Sequence, residues 1–516
     1  MTFLLHQNIL HQAELRPDQV AFRCGREEYR YGELAIKMQK LAQVLQESGV
    51  RRGERVGIFL HRCLETALAI YGILQAGAVY VPIDPTLPEE RVRFLIQDCG
   101  IQCLVSHPAQ ARRLAKFGAE ASLLRTVIGL DKDWAVPTIS WSEVWSAPLI
   151  AAPRQLETDL AYILYTSGST GQPKGVMHTH YSGLSYARLT AQLYDLRASD
   201  IIGNHAPIFF DICTLGYFTA PYVGARTIIS SDAHVMLPTS LGQLIEKEQM
   251  TVWYSVPLAL VQILQAGILP ELDWSAMRWL FYAGEPFPLD QLRQLMELLP
   301  DTGVSNIYGP TETNQCTYYN LEGPPAGDTP VPIGYLWDNT EMLILNEDDQ
   351  QVPAGESGEL LIRSATMMQG YWNNPERTRK SFYEHTTETG LTSTFYRTGD
   401  LVQLDEDGLL QLLGRKDRQI KTRGYRVELD EVEIAILSHP QIREAAVLAK
   451  AATGGQSKTI AAAISWVEEL PVEELESFLK KKLPPYAIPE NWVNYPELPR
   501  TPNGKIDRNL LQEVAL

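Results

Sequence analysis

The sequence predicts an α/β protein with a large N-terminal domain of mostly parallel, helix-flanked sheets and a small α+β C-terminal domain. Short apolar runs rich in β-branched residues alternate with helix-like segments along most of the chain, a pattern typical of parallel sheets covered by helices. The chain has 516 residues, more than a single hydrophobic core normally serves. Two or three domains are therefore expected.

The predicted strands of the N-terminal domain are short and strongly apolar. In chain order they are RVGIFL, AVYVPID, QCLVS, TVIGL, AYILYT, RTIIS, TVWYSV and RWLFYAG. The long apolar stretch from Ala67 to Ile83 is interrupted by Gly72 and Gln75. A membrane span needs about 20 consecutive apolar residues, so we interpret this stretch as a buried helix followed by a strand and expect no membrane partner.

The pattern changes twice in the second half of the chain. After Pro330, short strands separated by Gly and Pro turns (MLILN, GELLIRS, LVQLD, GLLQLLG) predict a β subdomain over roughly 330–413, which completes an N-terminal domain of residues 1–413. From Gly414 the pattern is mixed, with helices expected at 431–437 and 473–482 and a strand at 445–449. Residues 414–516 are therefore predicted to form the separate C-terminal domain.

The composition disfavours several classes of partner. A formal net charge of −17 disfavours nucleic acid, because phosphate backbones are bound by clustered Lys and Arg. The six cysteines are scattered, and even Cys99 and Cys103 do not have CxxC spacing, so buried thiols are expected rather than zinc ligands or disulfides. The N-terminus has no basic segment followed by a long apolar run. Together these features predict a cytoplasmic protein.

The strongest local motif is YTSGSTGQPKG, which occupies residues 165–175 and follows a predicted strand. Small residues let backbone N–H groups approach an anion, hydroxyls add donors and a lysine adds positive charge, which is how such loops bind phosphate. The Walker spacing G-x4-G-K-[ST] is absent, and Pro173 lacks a donating N–H. A flexible Ser/Gly linker is the alternative interpretation. The residues predicted to bind phosphate are Thr166, Ser167, Gly168, Ser169, Thr170, Gly171 and Lys174.

This loop resembles the phosphate loop of the adenylate-forming (ANL) superfamily, which includes nonribosomal peptide synthetase adenylation domains, acyl-CoA synthetases and luciferases. Six further segments resemble motifs of that superfamily, in the same order: LQAGAVYVPID, YGPTET, GELLI, YRTGD, GRKDRQIKTRGYRVEL and NGKID. These motifs extend the resemblance over essentially the whole chain. The chain is thereby identified as a member of the superfamily, similar to a stand-alone adenylation enzyme of the nonribosomal-peptide type.

The resemblance implies an ATP-dependent, AMP-forming ligase that uses Mg²⁺. Lys505 in NGKID resembles the catalytic lysine that joins the substrate carboxylate to the α-phosphate, with Lys174 and Thr166 as further catalytic residues. Positive charge is needed there because two anions must meet. Glu312 resembles the Mg²⁺ ligand. Further contacts with ATP are implied for Gly284, Glu285, Asn306, Tyr308, Gly309, Thr311, Asp400 and Arg415.

Two half-reactions at one site require the C-terminal domain to move. Asp417 resembles the hinge residue of this movement, which brings either Lys505 or the segment around Gly424 to the active site. A residue without Cβ suits a loop that lets a pantetheine arm pass. The implied partner is a discrete phosphopantetheinylated carrier protein, because neither a carrier-serine motif nor a condensation motif occurs in the sequence.

The substrate is expected to be an amino acid, with L-proline the best match. Asp211 stands where amino-acid-activating members carry the aspartate that binds the substrate ammonium, and a buried aspartate needs such a cation or backbone donors. Resemblance to free-standing proline-activating ligases of pyrrole, prodigiosin-type and anatoxin-type pathways assigns further residues to the pocket. Gln315 departs from the apolar residue expected at its position. The assigned residues are Ile212, Leu215, Tyr254, Phe281, Ala283, Ile307, Gln315 and Cys316.

Other members of the superfamily remain alternatives. A D-alanyl-carrier-protein ligase has a similar free-standing architecture but a smaller substrate, and an acyl-CoA synthetase has no use for Asp211. An inactive relative that serves as a scaffold is expected to lose Lys505, Lys174 or Glu312, all of which are present.

Overall fold

The structure is a computed structural model that describes residues 2–117, 123–131, 134–149, 152–168, 171–450, 457–468, 470–501 and 506–514. Lys505 and two residues of the predicted phosphate loop, Ser169 and Thr170, lie outside the described residues. Contacts group the chain into two units. The first consists of Met1–Pro85, Leu95–Leu164 and Gly175–Gly414, and the second of Thr86–Phe94, Tyr165–Lys174 and Arg415–Leu516.

A nine-stranded sheet in the first unit is parallel at its centre and antiparallel at both edges. Its central strands are buried at nearly every position, as expected where helices cover both faces of a sheet. In spatial order the strands are Tyr335–Leu336, Thr317–Leu321, Gly303–Tyr308, Trp279–Ala283, Val252–Ser255, Ile201–Asn204, Arg226–Ile229, Val20–Cys24 and Glu27–Arg30.

An eight-stranded sheet contains the strands on either side of the predicted phosphate loop. The helix Glu65–Gln75, which precedes the strand Val79–Pro82, is buried from Thr66 onward, and this confirms the interpretation of the apolar stretch as a buried helix and a strand. In spatial order the strands are Gly370–Tyr371, Lys174–Thr179, Leu160–Thr166, Val79–Pro82, Arg55–Ile58, Cys103–Val105, Thr126–Ile128 and Thr138–Ile139.

The predicted β subdomain is present as a third, antiparallel sheet with five strands. The strand Ser357–Ser364 lies between Thr340–Leu345 and Thr392–Leu404 and is buried from Gly358 to Ile362. The other strands are Thr340–Leu345, Phe382–Thr386, Thr392–Leu404 and Leu410–Arg415.

The C-terminal segment of the second unit is α+β, as predicted. It contains the hairpin Gln419–Thr422 and Tyr425–Glu428, followed by a three-stranded sheet of Ile442–Lys450, Thr459–Trp466 and Asn491–Asn494. The helices Leu429–Leu437 and Val472–Leu479 pack their apolar residues into the same hydrophobic cluster as this sheet.

Helices connect most of the strands. The α-helices are Gln7–Leu15, Tyr31–Glu47, Glu65–Gln75, Glu89–Asp98, Ala111–Leu114, Trp141–Ser146, His180–Leu193, Ala220–Val223, Asp232–Met236, Pro238–Lys247, Pro257–Gln265, Leu289–Leu298, Pro375–Ser381, Leu429–Leu437, Val472–Leu479 and Arg508–Val514. Within the described residues, none of these helices is both long and apolar enough to cross a membrane.

The predicted fold class is confirmed, and all eight strands predicted for the N-terminal part are strands. Six strands of the nine-stranded sheet were not predicted, and in two of them, Ile201–Asn204 and Gly303–Tyr308, polar residues interrupt the apolar pattern. The domain boundary at 413/414 stays a prediction. The first unit ends at Gly414, but contacts group the predicted phosphate loop with the C-terminal segment, whereas the sequence assigned that loop to residues 1–413.

Candidate active site

Three neighbouring parallel strands carry four of the predicted substrate-pocket residues. In the strand register, Tyr254 pairs with Phe281, and Ala283 pairs with Ile307. Side chains two residues apart on a strand share a face, so Phe281 and Ala283 lie side by side. All four residues belong to one buried hydrophobic cluster, in which the rings of Tyr254 and Phe281 meet edge to face with 6.1 Å between centroids. They form one continuous wall.

Asp211 lies at the start of a short 3-10 helix, Asp211–Cys213, which is followed by the π-helical turn Leu215–Thr219. Ile212 and Leu215 belong to the same hydrophobic cluster as the wall. Burial, together with the charges of neighbouring groups that include Asp211, raises the pKa of Tyr254 well above its usual range. The carboxylate of Asp211 is therefore one of the charges that act on the Tyr254 hydroxyl.

Gln315 and Cys316 are adjacent in sequence but contact different groups. Gln315 is 3% exposed, and its Nε2 lies 2.5 Å from the hydroxyl oxygen of Tyr254. Cys316 joins a second hydrophobic cluster with Tyr308, and its Sγ lies 3.7 Å from the Tyr308 carbonyl oxygen. Burial raises the pKa of the Cys316 thiol to about 12, so the thiol is neutral near pH 7. The structure thus brings Gln315 to the wall, whereas Cys316 packs in the neighbouring cluster.

Two residues predicted to bind the nucleotide, Tyr308 and Asp400, are in contact. The Tyr308 hydroxyl donates to Asp400 Oδ2 at 2.5 Å, and both residues are buried. Tyr308 ends the strand Gly303–Tyr308, and Asp400 lies within the long strand Thr392–Leu404. The amide of Asn306 donates to the Pro332 carbonyl at 2.7 Å. The roles of Tyr308 toward adenine and of Asp400 toward ribose stay predictions.

Two of the predicted nucleotide-binding residues are glycines for local structural reasons. A Cβ on Gly309 would lie 2.6 Å from the Asn314 carbonyl oxygen, so no side chain fits there. Gly284 directly follows the strand Trp279–Ala283 and has a φ of 98°, a conformation that favours glycine. The chain therefore turns at Gly284, immediately before Glu285.

Glu312, the predicted Mg²⁺ ligand, is fully buried, and the Tyr371 hydroxyl donates to its Oε1 at 2.8 Å. The preceding residue, Thr311, contacts His178, whose Nε2 lies 2.8 Å from the Thr311 carbonyl oxygen. Since a carbonyl only accepts, this nitrogen carries a proton. Burial lowers the pKa of His178 to about 4, so the ring is neutral near pH 7. Tyr371 and His178 thus hold the side chain and the backbone of the Thr311–Glu312 segment.

One carboxylate is a suitable protein contribution to a Mg²⁺ site, because Mg²⁺ takes one or two carboxylates and fills its shell with phosphate oxygens and water. Among the residues that the structure describes, no group of three or more His, Cys, Asp and Glu side chains is arranged to hold a metal ion. The sequence analysis missed Tyr371 and His178. His178 lies three residues beyond the phosphate-loop motif, a usable signal, whereas nothing in the sequence marked Tyr371.

The described part of the predicted phosphate loop has donors suited to an anion. The Thr166 hydroxyl is buried and has no hydrogen-bond partner within the described parts of the chain. The N–H of Gly168 donates to Glu431 Oε2 at 3.3 Å, and the Glu431 carboxylate also pairs with Arg91. An unpaired buried hydroxyl and an N–H that already binds a carboxylate are both expected of a phosphate site.

The other described residues of the loop have local structural roles. Ser167 Oγ donates to the Arg426 carbonyl at 2.8 Å. Gly171 has a φ of 81°, which favours glycine, and Lys174 is buried at the start of the strand Lys174–Thr179. Binding of phosphate by these residues stays a prediction.

Arg415 and Asp417 form a two-point ion pair. Arg415 Nε lies 2.7 Å from Asp417 Oδ1, and its Nη2 lies 2.8 Å from Oδ2. Burial opposes ionisation of Asp417, but the hydrogen bonds and charge of Arg415 more than offset it, so the pKa of Asp417 is lowered. Gly424 and Arg423 both have positive φ, 82° and 53°, and form the two-residue turn of a β-hairpin. Gly424 therefore has a structural role that is independent of its predicted role toward pantetheine.

The fold and these residues define an adenylate-forming enzyme. The chain belongs to the AMP-binding enzyme family, whose model matches residues 9–372, and the model of the AMP-binding enzyme C-terminal domain matches residues 431–505. The predicted membership of the adenylate-forming superfamily is thereby confirmed.

Individual relatives are similar over nearly the whole chain. The L-proline–[L-prolyl-carrier protein] ligase of Pseudomonas fluorescens is 31% identical over 508 residues, 98% of each chain. A ligase of the same name from Streptomyces coelicolor is 34% identical and covers 94% of this chain and 91% of its own. The Vibrio cholerae adenylation domain AlmE, solved with glycyl-adenosine-5'-phosphate, is 25% identical with a TM-score of 0.85, covering 100% of this chain and 98% of its own. The predicted ATP-dependent, AMP-forming ligase is confirmed.

Multidomain synthetases match as well. Tyrocidine synthase 3 of Brevibacillus parabrevis is 34% identical over 501 residues, which are 97% of this chain and 7% of that protein. The chain therefore corresponds to one adenylation unit of such a synthetase.

Proposed function

We propose that this protein activates L-proline as prolyl-AMP and transfers the prolyl group to the phosphopantetheine thiol of a separate carrier protein. The observation that carries this proposal is the position of Asp211 at the start of the turn that contributes Ile212 and Leu215 to the same buried cluster as the wall of Tyr254, Phe281, Ala283 and Ile307. One carboxylate next to a compact apolar wall suits a small apolar amino acid with a cationic nitrogen. Two ligases named for L-proline and its carrier protein, similar over nearly their full length, support the same substrate.

In the first half-reaction the substrate carboxylate attacks the α-phosphorus of ATP, and pyrophosphate leaves. Asp211 binds the substrate ammonium and so directs the carboxylate away from itself. The Thr166 hydroxyl and the Gly168 N–H donate to phosphate oxygens. Lys505 supplies positive charge where the two anions meet. Glu312 would hold Mg²⁺, which would neutralise further phosphate charge.

In the second half-reaction the carrier thiol attacks the carbonyl carbon of prolyl-AMP, and AMP leaves. Rotation about Asp417 replaces Lys505 by the Gly424 turn, so that one site serves both reactions. The secondary ammonium of proline has two N–H donors, which one carboxylate satisfies.

Proline should be the preferred substrate among ordinary amino acids. Alanine lacks two of the ring methylenes that contact the wall, and each is worth roughly 1–3 kcal/mol of transition-state binding. We expect kcat/KM for proline to exceed that for L-alanine or D-alanine by about a hundredfold. The measurement is ATP–pyrophosphate exchange with proline, both alanines, valine and glutamine, with benzoate as a control lacking an ammonium. If another amino acid reacts faster than proline, the substrate assignment is wrong although the family assignment stands.

Replacing Tyr371 by phenylalanine should weaken Mg²⁺ binding. The substitution removes the hydrogen bond to Glu312 Oε1 and leaves the ring packing in place. Loss of such a supporting hydrogen bond typically weakens metal binding by about tenfold or more. Titration of exchange activity with Mg²⁺ should therefore show a half-saturating concentration about tenfold higher. Tyr335→Phe, at an exposed tyrosine, is the matched control, and an equal Mg²⁺ requirement in all three proteins would contradict the role of Tyr371.

A further inference from the structure

The side-chain amide of Gln315 is incompletely paired in a buried place. Its Nε2 lies 2.5 Å from the Tyr254 hydroxyl oxygen, whereas its Oε1 is buried and has no hydrogen-bond partner within the described residues. Buried polar side-chain atoms nearly always have a partner, and a missing one destabilises the protein unless a ligand or water supplies it. Gln315 thus offers an unused hydrogen-bonding group.

The unused group of Gln315 is an acceptor. The amide nitrogen already donates to the Tyr254 hydroxyl, so Oε1 is the end of the side chain that has no partner within the described residues. A group that satisfies Oε1 must be able to donate a hydrogen bond.

The unused group adjoins the residues that we assign to the substrate. Tyr254 pairs with Phe281 in the strand register and belongs to the apolar wall, and the charge of Asp211 acts on its hydroxyl. The hydroxyl end of Tyr254 is the part of this wall that carries a hydrogen-bonding group. Gln315 is hydrogen-bonded at this end.

We propose that the enzyme also activates proline that carries a hydroxyl on its ring, with Gln315 as the residue that recognises it. The inference rests on the proposed function. A hydroxyl can donate a hydrogen bond, so it can pair with Gln315 Oε1. It carries no charge and thus needs no second ion pair in the cluster.

The test compares kcat/KM for L-proline, cis-4-, trans-4- and trans-3-hydroxy-L-proline in pyrophosphate exchange. In the wild-type protein at least one hydroxyproline should react within about tenfold of proline. Gln315→Met keeps the length of the side chain and removes both hydrogen-bonding ends. It should lower the ratio of hydroxyproline to proline activity about tenfold to a hundredfold, the effect expected for one hydrogen bond to a buried group. Gln243→Leu, at an exposed glutamine of the helix Pro238–Lys247, should leave that ratio unchanged.

Each outcome decides a different question. If proline is active and kcat/KM for every hydroxyproline is below a hundredth of that for proline, this inference is overturned and the proposed function stands. This outcome decides the question even if Gln315→Met does not fold. An unchanged ratio in a folded Gln315→Met protein also overturns it. This result is expected if a bound water, and not the substrate, pairs with Gln315. If glutamine or asparagine, measured in the same exchange assay, reacts faster than proline and every hydroxyproline, the amide of Gln315 recognises another substrate and both proposals are contradicted. No exchange with any proline contradicts the proposed function itself.

Discussion

Replacing Lys505 by alanine should lower prolyl-AMP formation about a thousandfold and leave thioester formation from preformed prolyl-AMP within a few-fold of the wild type. The substrate carboxylate and the α-phosphate are both anions, and the lysine charge is required only when they meet. In the second half-reaction a thiol attacks a carbonyl carbon, and AMP leaves without any approach of two anions. The two rates are measured separately, by pyrophosphate exchange and by loading of a carrier protein from synthetic prolyl-AMP.

Lys480→Ala provides the matched control for Lys505→Ala. Lys480 follows the helix Val472–Leu479 in the same C-terminal segment, and its side chain is mostly exposed. Both half-reactions should proceed normally in this variant. Equal losses in the two half-reactions of Lys505→Ala would indicate that Lys505 supports the structure and not the chemistry.

Replacing Asp417 by proline should preserve one half-reaction and reduce the other by more than about a hundredfold. Proline fixes φ near −65°, so a hinge at this residue stays in whichever pose that angle permits. Because the two half-reactions require different poses, the fixed protein serves only one of them. Exchange activity and carrier loading from prolyl-AMP, measured on the same preparation, show which reaction survives.

A second variant separates the hinge from the ion pair. Asp417→Pro also removes the carboxylate that pairs with Arg415. Asp417→Ala removes the same carboxylate but keeps the rotation, so it should support both half-reactions. If alanine and proline at this position have the same effect, the ion pair accounts for the loss and Asp417 is not the hinge.

The short-range features of this protein could be predicted from its sequence. The strand AYILYT and the loop that follows it are consecutive in the chain, so one segment specifies both. Most of the wall of the candidate pocket could be predicted as well, since Tyr254, Phe281 and Ala283 lie on predicted strands, whereas the strand of Ile307 was missed. Their meeting in one cluster follows from the parallel pairing of those strands.

Contacts between distant segments could not be predicted in this way. Tyr371 lies 59 residues from Glu312, and Gln315 lies 61 residues from Tyr254. Nothing in the local sequence specifies such a partner, because the packing of whole sheets decides it. For the same reason Gln315 was an unexplained departure in the sequence, and Cys316 was assigned to the pocket although it packs against Tyr308.

The N–H of Gly168 in the phosphate loop already donates to the carboxylate of Glu431. A phosphate oxygen at that N–H has to take the place of the carboxylate, so binding is an exchange of one anion for another. Arg91 remains as a partner for the displaced Glu431, and this partner keeps the exchange from leaving a buried charge alone. The loop is therefore expected to discriminate between ATP and weaker anions, since any anion that enters must bind the N–H better than a carboxylate already in place.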